Sequence, residues 1–170
     1  MKRDNNGFSL VELVVVVAII GIMVSLLAMT VVPKIRAENQ ACANRIDSVL
    51  SRTRLYSMGR EGNNKTADPA LAASVKFWIA DRSTGNGKEV RAQFFNGTQW
   101  EDEEKLGVYR GGNFVDGKEY TIAFLRPTGA PITAITTWPI NTVTKNYELE
   151  ANGYVITIDP LTGFHEVKRK

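Results

Sequence analysis

Two features near the start of the chain carry residue types that do chemistry. Gly7-Phe8 divides a short polar leader, basic through Lys2 and Arg3, from an apolar run that begins at Phe8. That junction is the more attractive place for a processing cut, because the apolar run then stays in the mature protein. Five residues into the run stands one carboxylate, Glu12. An acid at the centre of a membrane helix costs about 2.5–3.5 kcal/mol on insertion scales, and intramembrane ionisable residues are functional candidates by default. Glu12 therefore needs a partner. Ser9-x-x-Glu12 offers a local one, since the spacing fits a capping box in which Ser9 caps the helix start and Glu12 reaches back to the Ser9 amide.

Other reactive types are sparse. His165 is the lone histidine and falls at a strand edge, where a surface role is expected. Cys42, the lone cysteine, forms no intrachain disulfide and is expected to pack as a small hydrophobe. The chain has no His/Cys cluster for zinc, no glycine-rich phosphate loop after a strand and no G-x-S-x-G nucleophile motif, so no enzyme and no cofactor are expected. Glu101, Asp102, Glu103 and Glu104 form a dense acidic run, a weak candidate for a hard cation such as calcium and more simply a solvated loop. Lys168, Arg169 and Lys170 end the chain with three cations that could touch DNA phosphates or serve solubility alone.

The elements that must position Glu12 follow from patterning. Leu13 to Val32 holds 20 residues without a charge, the length a bilayer core requires. Lys2 and Arg3 before it predict a cytoplasmic N-terminus and an exported remainder by the positive-inside rule. A secretory signal would be cut directly after its apolar region, whereas the nearest small-residue pattern, Ala41-Cys42-Ala43, lies beyond Pro33. Ala18, Gly21, Ser25 and Ala28 recur at spacings of three and four, a narrow face suited to close helix packing. Pro33 predicts a kink.

Beyond Pro33, Ile35, Cys42, Ile46, Val49, Thr53 and Tyr56 predict an amphipathic helix with one buried face, stopping near Met58-Gly59. Residues 9–58 would then make a rod on the order of 75 Å at 1.5 Å per residue. Residues 60–72 are polar, hold Pro69 and form a connector. Runs of β type follow at 74–80, 90–95, 119–126, 132–138, 154–159 and 164–167, with Asp159–Gly163 as the turn of the last hairpin. The expected class is α+β: a long N-terminal helix, half membrane and half amphipathic, packed on an antiparallel β-sheet head. The net charge of +3 does not announce a nucleic-acid binder.

Basic leader, Gly7, then Phe8-Ser-Leu-Val-Glu12-Leu and a long apolar helix together resemble the type IV prepilin and type II secretion pseudopilin superfamily. The likeness covers roughly residues 1–32. It implies a leader at 1–7, a transmembrane and filament-core helix at 8–32, an amphipathic helix at 33–59 and a β-rich head at 60–170, the pilin fold. It implies cleavage between Gly7 and Phe8 by a prepilin peptidase, methylation of the new Phe8 amine, and Glu12 as the assembly carboxylate that pairs with the amine of a neighbouring subunit. Helix rise supports that role, because Glu12 lies about 6 Å beyond Phe8, so a subunit displaced by that amount brings an amine level with it.

Implied partners are other pilin or pseudopilin subunits, the peptidase, an inner-membrane assembly platform and, before assembly, lipid. The implied place is the cytoplasmic membrane, with the head extracytoplasmic and then in a pilus or pseudopilus. In the C-terminal half, Phe124-x-x-Pro127-x-Gly129 and the hairpin around Gly163 are similar to the H-type (GspH-like and FimT-like) minor pilins. DNA-binding FimT-like tails are rich in arginine after that glycine, whereas Phe164-His165-Glu166 stands here. Minor pilin or pseudopilin, DNA-binding minor pilin for uptake, and a signal-anchored domain of unrelated activity are the competing roles.

Overall fold

The computed structural model describes residues 9–59, 73–96, 98–125, 128–134 and 136–170, apart from the side chains of Ala28 and Thr30. The leader, Gly7, Phe8, the 60–72 connector and the end of the expected 119–126 strand lie outside them. One helix, α1, spans Leu10–Gly59 and contains Pro33. Its last described residue is Gly59. Among the described residues seven strands follow: β1 (Ser74–Asp81), β2 (Lys88–Phe95), β3 (Glu104–Tyr109), β4 (Tyr120–Ala123), β5 (Tyr147–Ala151), β6 (Tyr154–Ile158) and β7 (His165–Arg169). The class is α+β, a long helix packed on antiparallel sheet.

The chain divides into two compact units, residues 1–37 and residues 38–170. In the first, the large apolar side chains from Leu10 to Val32 whose burial is described are exposed, among them Leu13, Ile20, Leu26 and Val31. α1 is the one described helix long and apolar enough to cross a membrane, and its most apolar stretch is not buried within the chain.

In the second unit, β3-β2-β1-β4 form one sheet and β5-β6-β7 another, every pairing antiparallel. Alternation decides the faces. Val75, Phe77 and Ile79 of β1 point into the core and Lys76 and Trp78 point away. Cys42, Ile46, Val49 and Leu50 bring one stripe of α1 against Val75, Phe77, Val90, Leu149, Ile156 and Ile158 from both sheets. The Ser57 hydroxyl closes the helix end onto the sheet by donating to the Phe124 carbonyl at 2.6 Å.

Three expectations need correction. The buried stripe of α1 omits Ile35 (38 % exposed) and Tyr56 (39 % exposed), and takes in Ala43, Leu50 and Ser57 instead. Tyr56 lies at the rim, its ring edge-on to Phe94 at 5.3 Å. The described residues of 132–138 form no strand. Thr136 N–H and Oγ1 both donate to the Ile132 carbonyl, at 3.0 and 2.9 Å, and curl the segment. Thr137 then caps the edge of β4 through its amide to Thr121 O (2.9 Å) and its Oγ1 from Thr121 N (2.7 Å). Finally, β3 and β5 were not expected. β3 begins inside the acidic run and carries a register shift opposite Val90/Arg91. β5 turns into β6 at Asn152-Gly153, both with positive φ (56° and 79°), the geometry of a two-residue type I′ hairpin.

Candidate functional site: the carboxylate of the exposed helix

Ser9 is the residue before α1, and its carbonyl accepts the first intrahelical bond, from Leu13 N at 3.1 Å. Backbone geometry thus makes Ser9 the N-cap and places Glu12 in the first turn. The side-chain half of the capping box is not formed. Among the described residues neither Ser9 Oγ nor the Glu12 carboxylate has a hydrogen-bond or ion-pair partner. Glu12 is exposed, flanked by exposed Val11, Leu13 and Val16. An acid near a helix start is favoured by the macrodipole, worth typically 0.3–1 kcal/mol, which is far short of the cost of placing a charge in hydrocarbon. The arrangement is a charge without a counter-charge on a surface that water does not solvate well.

The expected packing face is on the same unit. Ala18, Gly21 and Ser25 are exposed, a Cβ added at Gly21 would meet nothing within 4 Å, and Ser25 Oγ donates to the Gly21 carbonyl at 2.8 Å. The hydroxyl is therefore satisfied inside its own helix, leaving a smooth strip for a neighbour. The side chain of Ala28 lies outside the described set, as do the cleavage residues Gly7 and Phe8.

In residues 38–170 most of the remaining candidates find local partners. Glu103 pairs with Arg91 at 3.0 Å, and Glu101 and Glu104 face Arg52 at 4.0 and 3.9 Å. Among the described residues no group of three His, Cys, Asp or Glu is placed to hold a metal ion. Lys168 pairs with Glu166 at 2.8 Å and Lys170 with Glu150 at 3.0 Å, so two of the three terminal cations already face carboxylates. Cys42 is buried against Gly107, and burial pushes its thiol up to about 11 against the opposing pull of Arg45 and Arg110. A thiol held that high is a packing group, not a nucleophile. His165 is not on the surface as expected: its side chain is 9 % exposed, with Nε2 3.0 Å from Ser51 Oγ and 3.4 Å from Asp47 Oδ1. Asp47 and Ser51 meet the same ring nitrogen, so the trio lacks the relay order of a catalytic triad.

Sequence reasoning missed one junction. The turn glycines Gly129 and Gly163 approach so closely that a Cβ on Gly163 would collide with the Gly129 carbonyl oxygen, and both have positive φ (70° and 68°). Arg54 of α1 spans them, donating to Gly129 O at 3.4 Å and to Thr162 O at 3.0 Å. The glycines were visible in the sequence, but nothing local linked segments 34 residues apart to an arginine on the helix.

Residues 2–28 match the family model described as the prokaryotic N-terminal methylation motif. The matched segment contains Gly7, Phe8, Glu12 and most of the exposed apolar stretch. No curated protein and no solved structure matches the chain. The chain thus carries a prepilin-type methylation motif, which supports the type IV pilin and pseudopilin class.

Proposed function

We propose that this chain is a non-catalytic structural subunit of a type IV pilus or type II secretion filament, a minor pilin or pseudopilin cut by a prepilin peptidase and polymerised through its N-terminal helix. One observation carries the reading: Glu12 has no partner among the described residues, on an exposed apolar helix inside the matched motif. Cleavage after Gly7 creates an amine on Phe8. A neighbouring subunit displaced by about 6 Å along the helix brings that amine level with Glu12. In low dielectric an unpaired charge is heavily penalised and a paired one is not, so the ion pair selects one stagger among the ways apolar helices can associate.

Before assembly the helix resides in the cytoplasmic membrane with Lys2 and Arg3 on the cytoplasmic side, and residues 38–170 are exported. The H-type minor-pilin likeness is the finer part of the proposal. The approach of Gly129 to Gly163 supports it, since the two motif segments that suggested the likeness meet at Arg54.

Intact-mass analysis of the chain recovered from sheared surface filaments tests this proposal. The expected species begins at Phe8 and carries one added methyl group, and Gly7→Glu leaves an unshifted, unmethylated precursor in the membrane. A chain that retains residues 1–7 in its functional location, or that never enters a filament fraction, contradicts it.

A further inference from the structure

We propose that Asn86 is a site of spontaneous covalent modification, the place where the folded head loses a side-chain amide to water. The site lies wholly within residues 38–170 and is independent of the filament reading. Asn-Gly occurs four times in the chain, at Asn6, Asn86, Asn96 and Asn152. Glycine leaves its own backbone nitrogen unshielded by a Cβ and free to adopt angles that other residues avoid. That nitrogen can close a ring on the preceding carboxamide.

The reaction balances as a hydrolysis. Gly87 N bonds to Asn86 Cγ and gives up its proton, the bond from Cγ to the amide nitrogen breaks, and ammonia leaves. Water then opens the resulting succinimide at either carbonyl. One opening gives aspartate, and the other gives isoaspartate, in which the chain runs through the former side chain. Water is the only co-reactant.

The fold separates these pairs. Asn152 is buried, and its carboxamide is held at both ends: Oδ1 accepts from Arg110 N at 2.6 Å and Nδ2 donates to Val108 O at 2.7 Å. Its Cγ cannot turn toward Gly153 N without breaking both bonds. Asn96 is restrained as well, with Oδ1 accepting from the amides of Thr98 and Gln99 at 3.0 Å each. Asn6, Gly7 and Gly97 lie outside the described residues. Asn86 has none of these restraints. It is exposed in the 82–87 loop between β1 and β2, which Arg82 N closes by donating to Gly87 O at 3.1 Å. Among the described residues neither the Asn86 carboxamide nor the Gly87 N–H has a hydrogen-bond partner. Gly85 and Gly87 flank it with positive φ (82° and 114°), and a Cβ at Gly85 would meet nothing within 4 Å. The carboxamide therefore has room to swing onto the nitrogen that follows it.

The product changes one end of the β1–β2 hairpin. Lys88 Nζ already stands 2.8 Å from Asp81 Oδ1 and 3.0 Å from Asp116 Oδ2, so a carboxylate at position 86 adds a third acid to the loop end that Lys88 serves. An isoaspartate lengthens the backbone by one carbon two residues before Lys88, whose pairing with Asp81 ends the β1–β2 ladder.

Timed peptide mapping by mass spectrometry tests the proposal on the full chain in zwitterionic micelles at mildly alkaline pH. Exchange of NH2 for OH is expected at Asn86 while Asn152 keeps its amide. The two rates should differ by at least about tenfold, since a hydrogen bond that must open is worth up to that factor. In guanidinium the rates should converge, because the reacting pair is Asn-Gly in both. Asn86→Gln, which would need a larger ring, should remove the fast event and leave the melt of the head unchanged. Equal rates at Asn86 and Asn152 in the native chain, a fast event that survives Asn86→Gln, or an intact Asn86 after an incubation that converts it in guanidinium would overturn the proposal.

Discussion

The two units of this chain solve opposite problems. In residues 38–170 the large apolar side chains of both sheets and one helix stripe turn inward: Ile46, Leu50, Phe77, Tyr120, Phe124, Leu149 and Ile158 are essentially inaccessible. In residues 10–32 side chains of the same type turn outward. Charges show the same contrast. Arg91, Glu103, Lys168 and Glu166 pair within the head, whereas Glu12 pairs with nothing described. The head completes itself, and under the proposed function the apolar helix is completed by other molecules: lipid first, then helices of neighbouring subunits. A residue's hydrophobicity does not say which of these fates it has. Its surroundings do.

The contrast is broken most forcefully by paired truncations. Phe77→Ala, which empties a core site and removes an edge-on contact with Trp138 at 5.7 Å, should cost the head about 3–5 kcal/mol in chemical denaturation. Ile20→Ala should leave the same transition within about 0.5 kcal/mol. Equal losses would mean that the units are not independent.

A matched pair of glycines sharpens the point at smaller scale. Gly163→Ala forces a left-handed φ of 68° and a collision with Gly129 O, and should cost the head about 1–3 kcal/mol or more. Gly21→Ala adds a methyl to open space, leaves the head unchanged and favours the helix by about 1 kcal/mol. Its cost should surface only as poorer filament packing, read as a lower assembled fraction.

The smallest effect is a pH dependence confined to the head. The amides of Leu161 and Thr162 donate to Asp159 Oδ1 at 2.7 and 2.9 Å and hold its carboxyl below its ordinary value near 3.8. A depressed folded-state pKa contributes stability above the unfolded value and loses it as pH falls through the folded one. The denaturation midpoint of the native head should therefore decline below about pH 4 more steeply than that of Asp159→Asn. Identical slopes would remove Asp159 from the account. The group is largely solvated, so the difference should be modest.

Much of this was legible in the chain. A charge-free run of 20 residues after a basic leader announces its own solvent, and Glu12 stands out because so little else nearby is charged. The last hairpin was marked by local residues, Asp159-Pro160…Gly163. What escaped depends on partners distant in sequence. The charged start of β3 hides a strand whose inward residue is Leu106, and Arg45 secures that strand through its backbone carbonyls, at 3.2 Å for Leu106. β5 had a usable signal in Asn152-Gly153 between two alternating runs. Asn152 also stitches the sheets, accepting from Arg110 N at 2.6 Å and donating to Val108 O at 2.7 Å, which no local pattern foretells. At 132–138 the β-branched residues misled because flanking Pro131 and Pro139 remove ladder donors.

The central claim is that the counter-charge of Glu12 belongs to another subunit. Glu12→Ala separates that claim from insertion and processing, because the helix becomes more apolar and Gly7-Phe8 is untouched. The variant should reach the membrane and lose its leader at native levels, as seen by fractionation and gel shift, yet be missing from sheared filaments. Native incorporation of processed Glu12→Ala would contradict the account.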